Sequence, residues 1–237
     1  MDDRTVPADA HIDHSAALSY WNSIPATVNG MLGGFPQISR IDLQGSANFL
    51  AKLRRLSPSS TPQLPLPRAV DCGAGIGRIT LGFLHKACRV VDIVEPVEKF
   101  TRQIAEGDAF QPLREAGSLG EVVNQGLEHW TPAREYDLIW NQWCVGHLTD
   151  SQLAAYLERC GAALTEGGWV VVKENISTNV NGDDVFDELD SSVTRTDASF
   201  KAIFDAAHMK VVKTELQPGF PKTLYPVRFY ALQPKRP

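Results

Sequence analysis

From residue 68 onward the chain alternates short apolar runs with amphipathic helical stretches, and that alternation leaves few folds open to it. The runs are "RAVDCG", "CRVVDIVEP", "GEVVNQG", "YDLIWNQW" and "WVVVKEN", and helix-patterned segments at 76–87, 97–116 and 149–164 stand between most of them. Strands alternating with helices imply a doubly wound parallel sheet, because a parallel crossover needs a connection long enough to return over the sheet. "WVVVKEN" lacks polar alternation, as expected of a strand buried on both faces. The helix before it is the most sharply marked in the chain. Thr149 and Gln152 have capping-box spacing, and Leu153, Tyr156, Leu157, Cys160 and Leu164 follow at helical intervals until Gly167–Gly168. Phe200, Ile203, Phe204 and Ala207 mark a further helix, and "MKVVKTEL" and "VRFYALQP" are two strands able to pair antiparallel. The expectation is an α/β fold with a seven-stranded, mostly parallel sheet and helices on both faces.

The first 56 residues have a different texture. "SAALSYWNSI" reads as a short helix, "PATVNGMLGGFPQ" as a Gly/Pro loop, and "SANFLAKLRRL" as a helix with Ser46 as N-cap. Residues 57–67 hold four prolines and read as a linker, which gives a division into an N-terminal helical extension or lid (1–56), a linker (57–67) and a main domain (68–237). A net charge of −5 argues against a nucleic-acid binder, whose affinity rests on excess Lys and Arg. No run of 18 apolar residues is present to span a membrane, and the acidic N-terminus has no secretory pattern. The four cysteines form no CxxC pair, so buried, reduced thiols are expected, with no metal. These features lead us to expect a cytoplasmic monomer, with nuclear access left open.

"VDCGAGIGRIT" sets Gly73, Gly75 and Gly77 between a strand and a helix, where the backbone turns tightly under a ligand. A dinucleotide fingerprint would require a third glycine at position 78, which here is Arg78, and no Walker lysine follows. Glu95 ends the second strand, where a carboxylate can accept both ribose hydroxyls of a nucleoside. Asp71 stands near the loop and can meet an amino-acid ammonium, directly or through water. A nucleoside joined to an amino acid, with no phosphate, describes S-adenosylmethionine.

"DCGAGIGR" and "VDIVEP" resemble the motifs of class I S-adenosylmethionine-dependent methyltransferases. "YWNSIPATVNGMLGG", "LIWNQWCVGHLTD", "VVKEN", "DSSVTR" and "LYPVRFYAL" narrow the resemblance to the protein α-N-terminal methyltransferases that modify Xaa-Pro-Lys N-termini, with the fungal members most similar. It runs from about residue 18 to the C-terminus. The resemblance implies a Rossmann-like fold, S-adenosylmethionine as methyl donor with S-adenosylhomocysteine as product, and protein N-termini as partners, ribosomal proteins among them. It implies that Gly73, Gly75, Arg78, Leu127, Glu128 and Gln142 join Asp71 and Glu95 around the cofactor. It also implies that Asp190 and His147 act as a base pair for the substrate amine. Read alone, His147 would be a surface or capping histidine and Asp190 a helix cap.

For the substrate, the resemblance implies an aromatic wall from Trp21 and Trp143, a lid lining from Leu32 and Gly33, and a backbone contact from Asn175. Glu174 stands where human-type relatives carry Asp, so its reach differs by one methylene. Asp187 matches a position that pairs with the lysine of the substrate, and Tyr225 matches a substrate contact. Trp140 alternates with Tyr136 and Leu138 and reads as core. Two other functions fit less well: a small-molecule amine N-methyltransferase, which has no use for backbone-contacting groups, and a non-catalytic cofactor-binding scaffold.

Overall fold

The seven expected strands form one sheet in the computed structural model, which describes residues 6–56 and 65–235. In chain order they are β1 (Leu66–Cys72), β2 (Cys88–Val94), β3 (Leu119–Val123), β4 (Tyr136–Gln142) and β5 (Leu164–Asn175). A small hairpin follows, β6 (Val185–Asp187) with β7 (Ser192–Thr194), and then β8 (Met209–Leu216) and β9 (Val227–Pro234). The order across the sheet is β3-β2-β1-β4-β5-β9-β8, with only β9 antiparallel to its neighbours. The last strand thus inserts between two earlier ones. Burial explains the choice: β9 is covered on both faces along most of its length, whereas β8 alternates with solvent and suits an edge.

Side chains alternate between two layers. Leu138 and Trp140 of β4 join a core under α3 (Ser39–Leu56) and α4, which covers 78–87 with a π-helical stretch at Thr80–Leu84. Ile139 joins the opposite core under α7 (Asp150–Ala162) and α8 (Asp197–Ala206). Trp140 is fully buried against Phe83 and Phe229, as its alternation predicts.

Five sequence expectations shift. The helix placed at 46–56 begins at Ser39, and Ser46 is no N-cap: it is buried mid-helix with its hydroxyl donating to the Asp42 carbonyl at 3.1 Å. The buried stripe Asp42, Ser46, Phe49, Leu50, Leu53 is continuous, but its first two members are polar and conceal it in the sequence. Phe49 stacks on Phe229 at 4.6 Å, so this part of the expected extension is a layer of the core. The helix expected over 97–116 divides at Gly107 into α5 (Glu98–Glu106) and α6 (Gln111–Glu115), with Pro112 in the first turn of α6. The capping box of α7 forms, but Leu164 opens β5 opposite Tyr136 and takes no part in that helix. The "PATVNGMLGGFPQ" loop contains a helical turn, α2 (Val28–Met31), capped by Thr27. Of the expected linker, residues 57–64 lie outside the described residues, and Leu66 and Pro67 already belong to β1.

The chain order reverses between β1 and β4, which leaves a crevice at the carboxyl ends of the strands. The glycine loop follows β1, Glu95 follows β2, residues 126–128 follow β3, and the 143–147 turn follows β4, so all of them meet at this edge. Helix α1 (His14–Ser23), capped by the Asp13 carboxylate on the Ser15 and Ala16 amides, lies across it.

Candidate active site

The glycine loop is fixed by its neighbours. Gly73 and Gly75 have φ of +62° and +54°, and a Cβ on Gly73 would stand 2.2 Å from that of Cys144. No larger residue fits that approach. The Glu95 carboxylate closes the loop, accepting the Gly75 amide at 2.8 Å and the Val97 amide at 2.8 Å. Burial pushes the Glu95 carboxyl up to about 7, although both amides favour its ionised form. Asp71 is placed differently from expectation. It is buried beneath the loop, where its carboxylate accepts the Thr80 amide at 3.1 Å and hydroxyl at 2.7 Å, and it does not line the cavity.

The cavity above the loop measures about 450 Å³, within the range that holds a cofactor-sized ligand. Gly73, Gly75, Arg78, Glu95, Leu127, Glu128 and Gln142 line one part of it. Trp21 of α1, with Leu32 and Gly33, lines the side of the N-terminal region, and Trp143, His147, Asn175, Asp190 and Tyr225 line the rest. Asp187 stays outside: it is exposed on β6, and its carboxylate accepts the Leu189 amide at 2.8 Å. Sequence reasoning missed further lining residues, among them Met31, Phe35, Cys144, Phe220 and Leu224. Cys144 is thus only partly buried, unlike the other three cysteines.

The strand-end turn that carries Trp143 and His147 is held in an unfavourable conformation. Trp143 has φ of +54°, which costs about 1–2 kcal/mol for a non-glycine residue. Two clamps hold it. Glu174 accepts the amides of Cys144 and Val145 at 2.8 and 3.0 Å. The buried guanidinium of Arg195 donates to the Val145 and Leu148 carbonyls at 3.2 and 2.5 Å and to Asp150 at 2.8 Å. Glu174 lines the cavity, and one of its carboxylate oxygens, Oε1, holds this turn, a role the resemblance did not imply. Burial pushes the Glu174 carboxyl up to about 7.

Three buried polar atoms of this region have no partner: Trp143 Nε1, His147 Nδ1 and Asp190 Oδ1. Unpaired buried polar atoms are destabilising, so three together on one cavity wall mark a place for a polar ligand. The other imidazole nitrogen, His147 Nε2, accepts the indole N–H of Trp21 at 3.1 Å. Burial lowers the His147 pKa below the ordinary histidine value, opposed by the nearby Asp190 carboxylate.

Beneath this wall lies a buried cluster centred on Asp42 of α3. Its carboxylate receives Arg78 at 2.7 Å, the Gln142 amide at 2.9 and 3.0 Å, and the ammonium of Lys173. Lys173 also reaches Ser46 at 3.1 Å, and burial lowers its pKa to about 8. Arg78 and Lys173 approach the face of Trp143, at 5.6 and 5.9 Å from the ring centroid. Arg78 and Gln142 are therefore tied to the N-terminal region as well as exposed to the cavity. The signal was present in the sequence as a lysine inside the apolar run "WVVVKEN" and an aspartate on the apolar stripe of a helix. Among the described residues, no group of three or more His, Cys, Asp or Glu side chains is arranged to hold a metal ion, and no helix is long and apolar enough to cross a membrane.

Residues 9–233 match the family described as AdoMet dependent proline di-methyltransferase. The chain belongs to this family. It is 45% identical over 225 residues to the alpha N-terminal protein methyltransferase 1 of Schizosaccharomyces pombe, covering 93% of this chain and 96% of that protein. It is 38% identical to the N-terminal Xaa-Pro-Lys N-methyltransferase 1 of Xenopus tropicalis, covering 92% and 93%. A SAM-dependent methyltransferase from Leishmania major superposes with a TM-score of 0.79 at 37% identity, covering 93% of this chain and 82% of that one. The sheet order and these neighbours make this a class I methyltransferase fold.

Proposed function

We propose that this family member transfers methyl groups from S-adenosylmethionine to the α-amine of proteins that begin Xaa-Pro-Lys once Met is removed. The observation that carries the reading is the set of unpaired atoms on Trp143, His147 and Asp190, in the same cavity as the glycine loop and Glu95. The residues present fit the methyl donor: glycines too closely packed for any side chain, a buried carboxylate for ribose hydroxyls, and no lysine for a phosphate. When bound, S-adenosylmethionine supplies an electrophilic methyl group on a sulfonium. Glu95 and the loop would hold its nucleoside, with Leu127 and Glu128 beside it. An amine attacks only when neutral, and its ordinary pKa is about 8, so a carboxylate or imidazole within reach suffices as base. Asp190 and His147, which both line the cavity, would serve in that role. Trp21 and Trp143 would enclose the first substrate residues, Asn175 would bond their backbone and Tyr225 would add a further contact, while Asp187, exposed outside the cavity, would meet the lysine as it leaves the site. Ribosomal proteins with such N-termini are the substrates to examine first.

Mass spectrometry of a Ser-Pro-Lys peptide incubated with the protein and S-adenosylmethionine tests this reading. Successive gains of one methyl mass that acetylation of the N-terminus blocks, and that an Xaa-Pro-Gln peptide does not show, are expected. Methylation of small amines in preference to the peptide would refute it.

Replacing Glu95 with Ala should weaken S-adenosylmethionine binding by about 10- to 100-fold, the loss of hydrogen bonds to a charged group. Ribose hydroxyls donate best to an ionised carboxylate, and the Glu95 carboxyl titrates at about 7. Wild-type affinity should therefore be highest above that pH and fall as pH drops through it. Calorimetric affinities at several pH values, for both proteins, check the magnitude and the sign.

A further inference from the structure

The two ring nitrogens of His147 have unequal partners, and this decides where its proton sits. Nε2 lies 3.1 Å from the Trp21 indole nitrogen, with the rings edge-on at 85° and their centroids 6.2 Å apart. An indole N–H only donates, so Nε2 must present its lone pair. A neutral imidazole that accepts at Nε2 carries its hydrogen on Nδ1. To become an imidazolium, the ring would need a hydrogen on Nε2 facing another hydrogen, and the Trp21 bond would be lost. The other groups around the ring are the Asp190 carboxylate and Ser191 backbone, His14 of α1, and Glu128 after β3. Asp190, Ser191 and Glu128 favour a charged ring, and burial together with His14 opposes it.

We propose that Trp21 is a positioning residue that holds His147 as the neutral Nδ1–H tautomer, and that Asp190 is the group that takes the proton from the substrate amine. Asp190 Oδ1 is buried without a partner, so it has a free lone pair for that proton. The step balances: R–NH3⁺ gives one proton to the Asp190 carboxylate, leaving R–NH2 and a carboxylic acid. The amine lone pair then bonds to the methyl carbon as the carbon–sulfur bond breaks, its electron pair going to sulfur. The carboxylic acid returns its proton to solvent before the next turnover. A neutral His147 also keeps a second cation away from an incoming ammonium, which two like charges at this range would repel. This inference rests on the proposed amine-methylating function.

The test is the tautomer itself, read in the full-length protein without substrate from the ring ¹⁵N shifts of His147, assigned with a His147→Ala variant. The wild type should show hydrogen on Nδ1 and a bare, hydrogen-bonded Nε2. Trp21→Phe keeps an aromatic ring but removes the N–H, so the tautomer preference should weaken and the His147 midpoint rise by about half to one pH unit. A wild-type ring with hydrogen on Nε2 would overturn the proposal even if the variant failed to fold. So would a folded variant that titrates like the wild type. A protein with the expected tautomer but no activity on Xaa-Pro-Lys peptides would refute the proposed function and leave the assignment of Trp21 intact.

Discussion

Asp190→Asn should lower turnover on an Xaa-Pro-Lys peptide by about 10²- to 10⁴-fold, the usual contribution of a general base. Asparagine is nearly isosteric with aspartate but cannot take the amine proton. Of the other carboxylates on the cavity wall, Glu174 accepts two backbone amides, Glu95 closes the glycine loop, and Glu128 follows β3 on a different element. Asp190 lies between β6 and β7, and the Glu95 carboxylate is bonded to the Gly75 and Val97 amides, so S-adenosylmethionine affinity should stay within a few-fold of wild type. Single-turnover rates across pH, with calorimetry of the methyl donor, separate the two quantities. Because the uncatalysed requirement is only a neutral amine, the variant should recover part of its rate as pH approaches and exceeds about 8. A variant that loses the methyl donor along with turnover would show that Asp190 supports the cofactor side and would remove it as the base.

Asp42→Ala should have the largest effect on stability. The carboxylate is fully buried and is the anionic partner of both Arg78 and Lys173. Its removal leaves two buried cations without a counter-charge and unseats the Gln142 amide. Breaking a buried ion pair from one side costs about 3–5 kcal/mol, which in a chain of this size lowers the melting temperature by roughly 10 °C. Replacing Lys173 with Met in the same background removes one stranded charge and should restore part of the loss, because residues in one network do not act additively. Thermal melts of the wild type, both single variants and the double variant measure that coupling. Methyl-donor affinity should fall in Asp42→Ala as well, since Arg78 and Gln142 lose the group that orients them on the cavity wall. An unchanged melting temperature would mean that the cluster relaxes on water or neighbouring carbonyls and carries little of the stability.

The expectations that failed share a cause. Ser46 looked like a cap because a serine before an apolar run has that form, yet the true helix start lies upstream, where the stripe is polar at Asp42 and Ser46. Those positions are polar because they face Lys173, a residue 127 or more positions away in sequence, and no local pattern shows such a partner. Glu174 and Asp71 followed the same course. Asp71 was read from its place near the glycine loop and Glu174 from the resemblance, but nearby backbone uses both, Glu174 at the turn at Trp143 and Asp71 at the start of α4. The hairpin β6–β7 was hidden because its strands are three residues each, too short for a period to register. By contrast, the capping box of α7 and the extents of β8 and β9 were legible, since each depends on neighbours close in sequence.

The family resemblance assigned Trp21, Trp143, His147 and Asp190 to the site, and by itself the sequence determined the alternation of strands and helices, the glycine loop and the carboxylate after the second strand. These follow from short-range periodicity, from turn chemistry and from motifs whose residues lie within a few positions of one another. Only the tertiary structure decided that β9 inserts between β5 and β8, that α3 belongs to the core, that Asp42 gathers two cations under the site, and that Trp21 governs a nitrogen of His147. Each of these is a contact between residues distant in the chain, and its direction is set by burial: polar groups taken out of water must find partners wherever the fold supplies them.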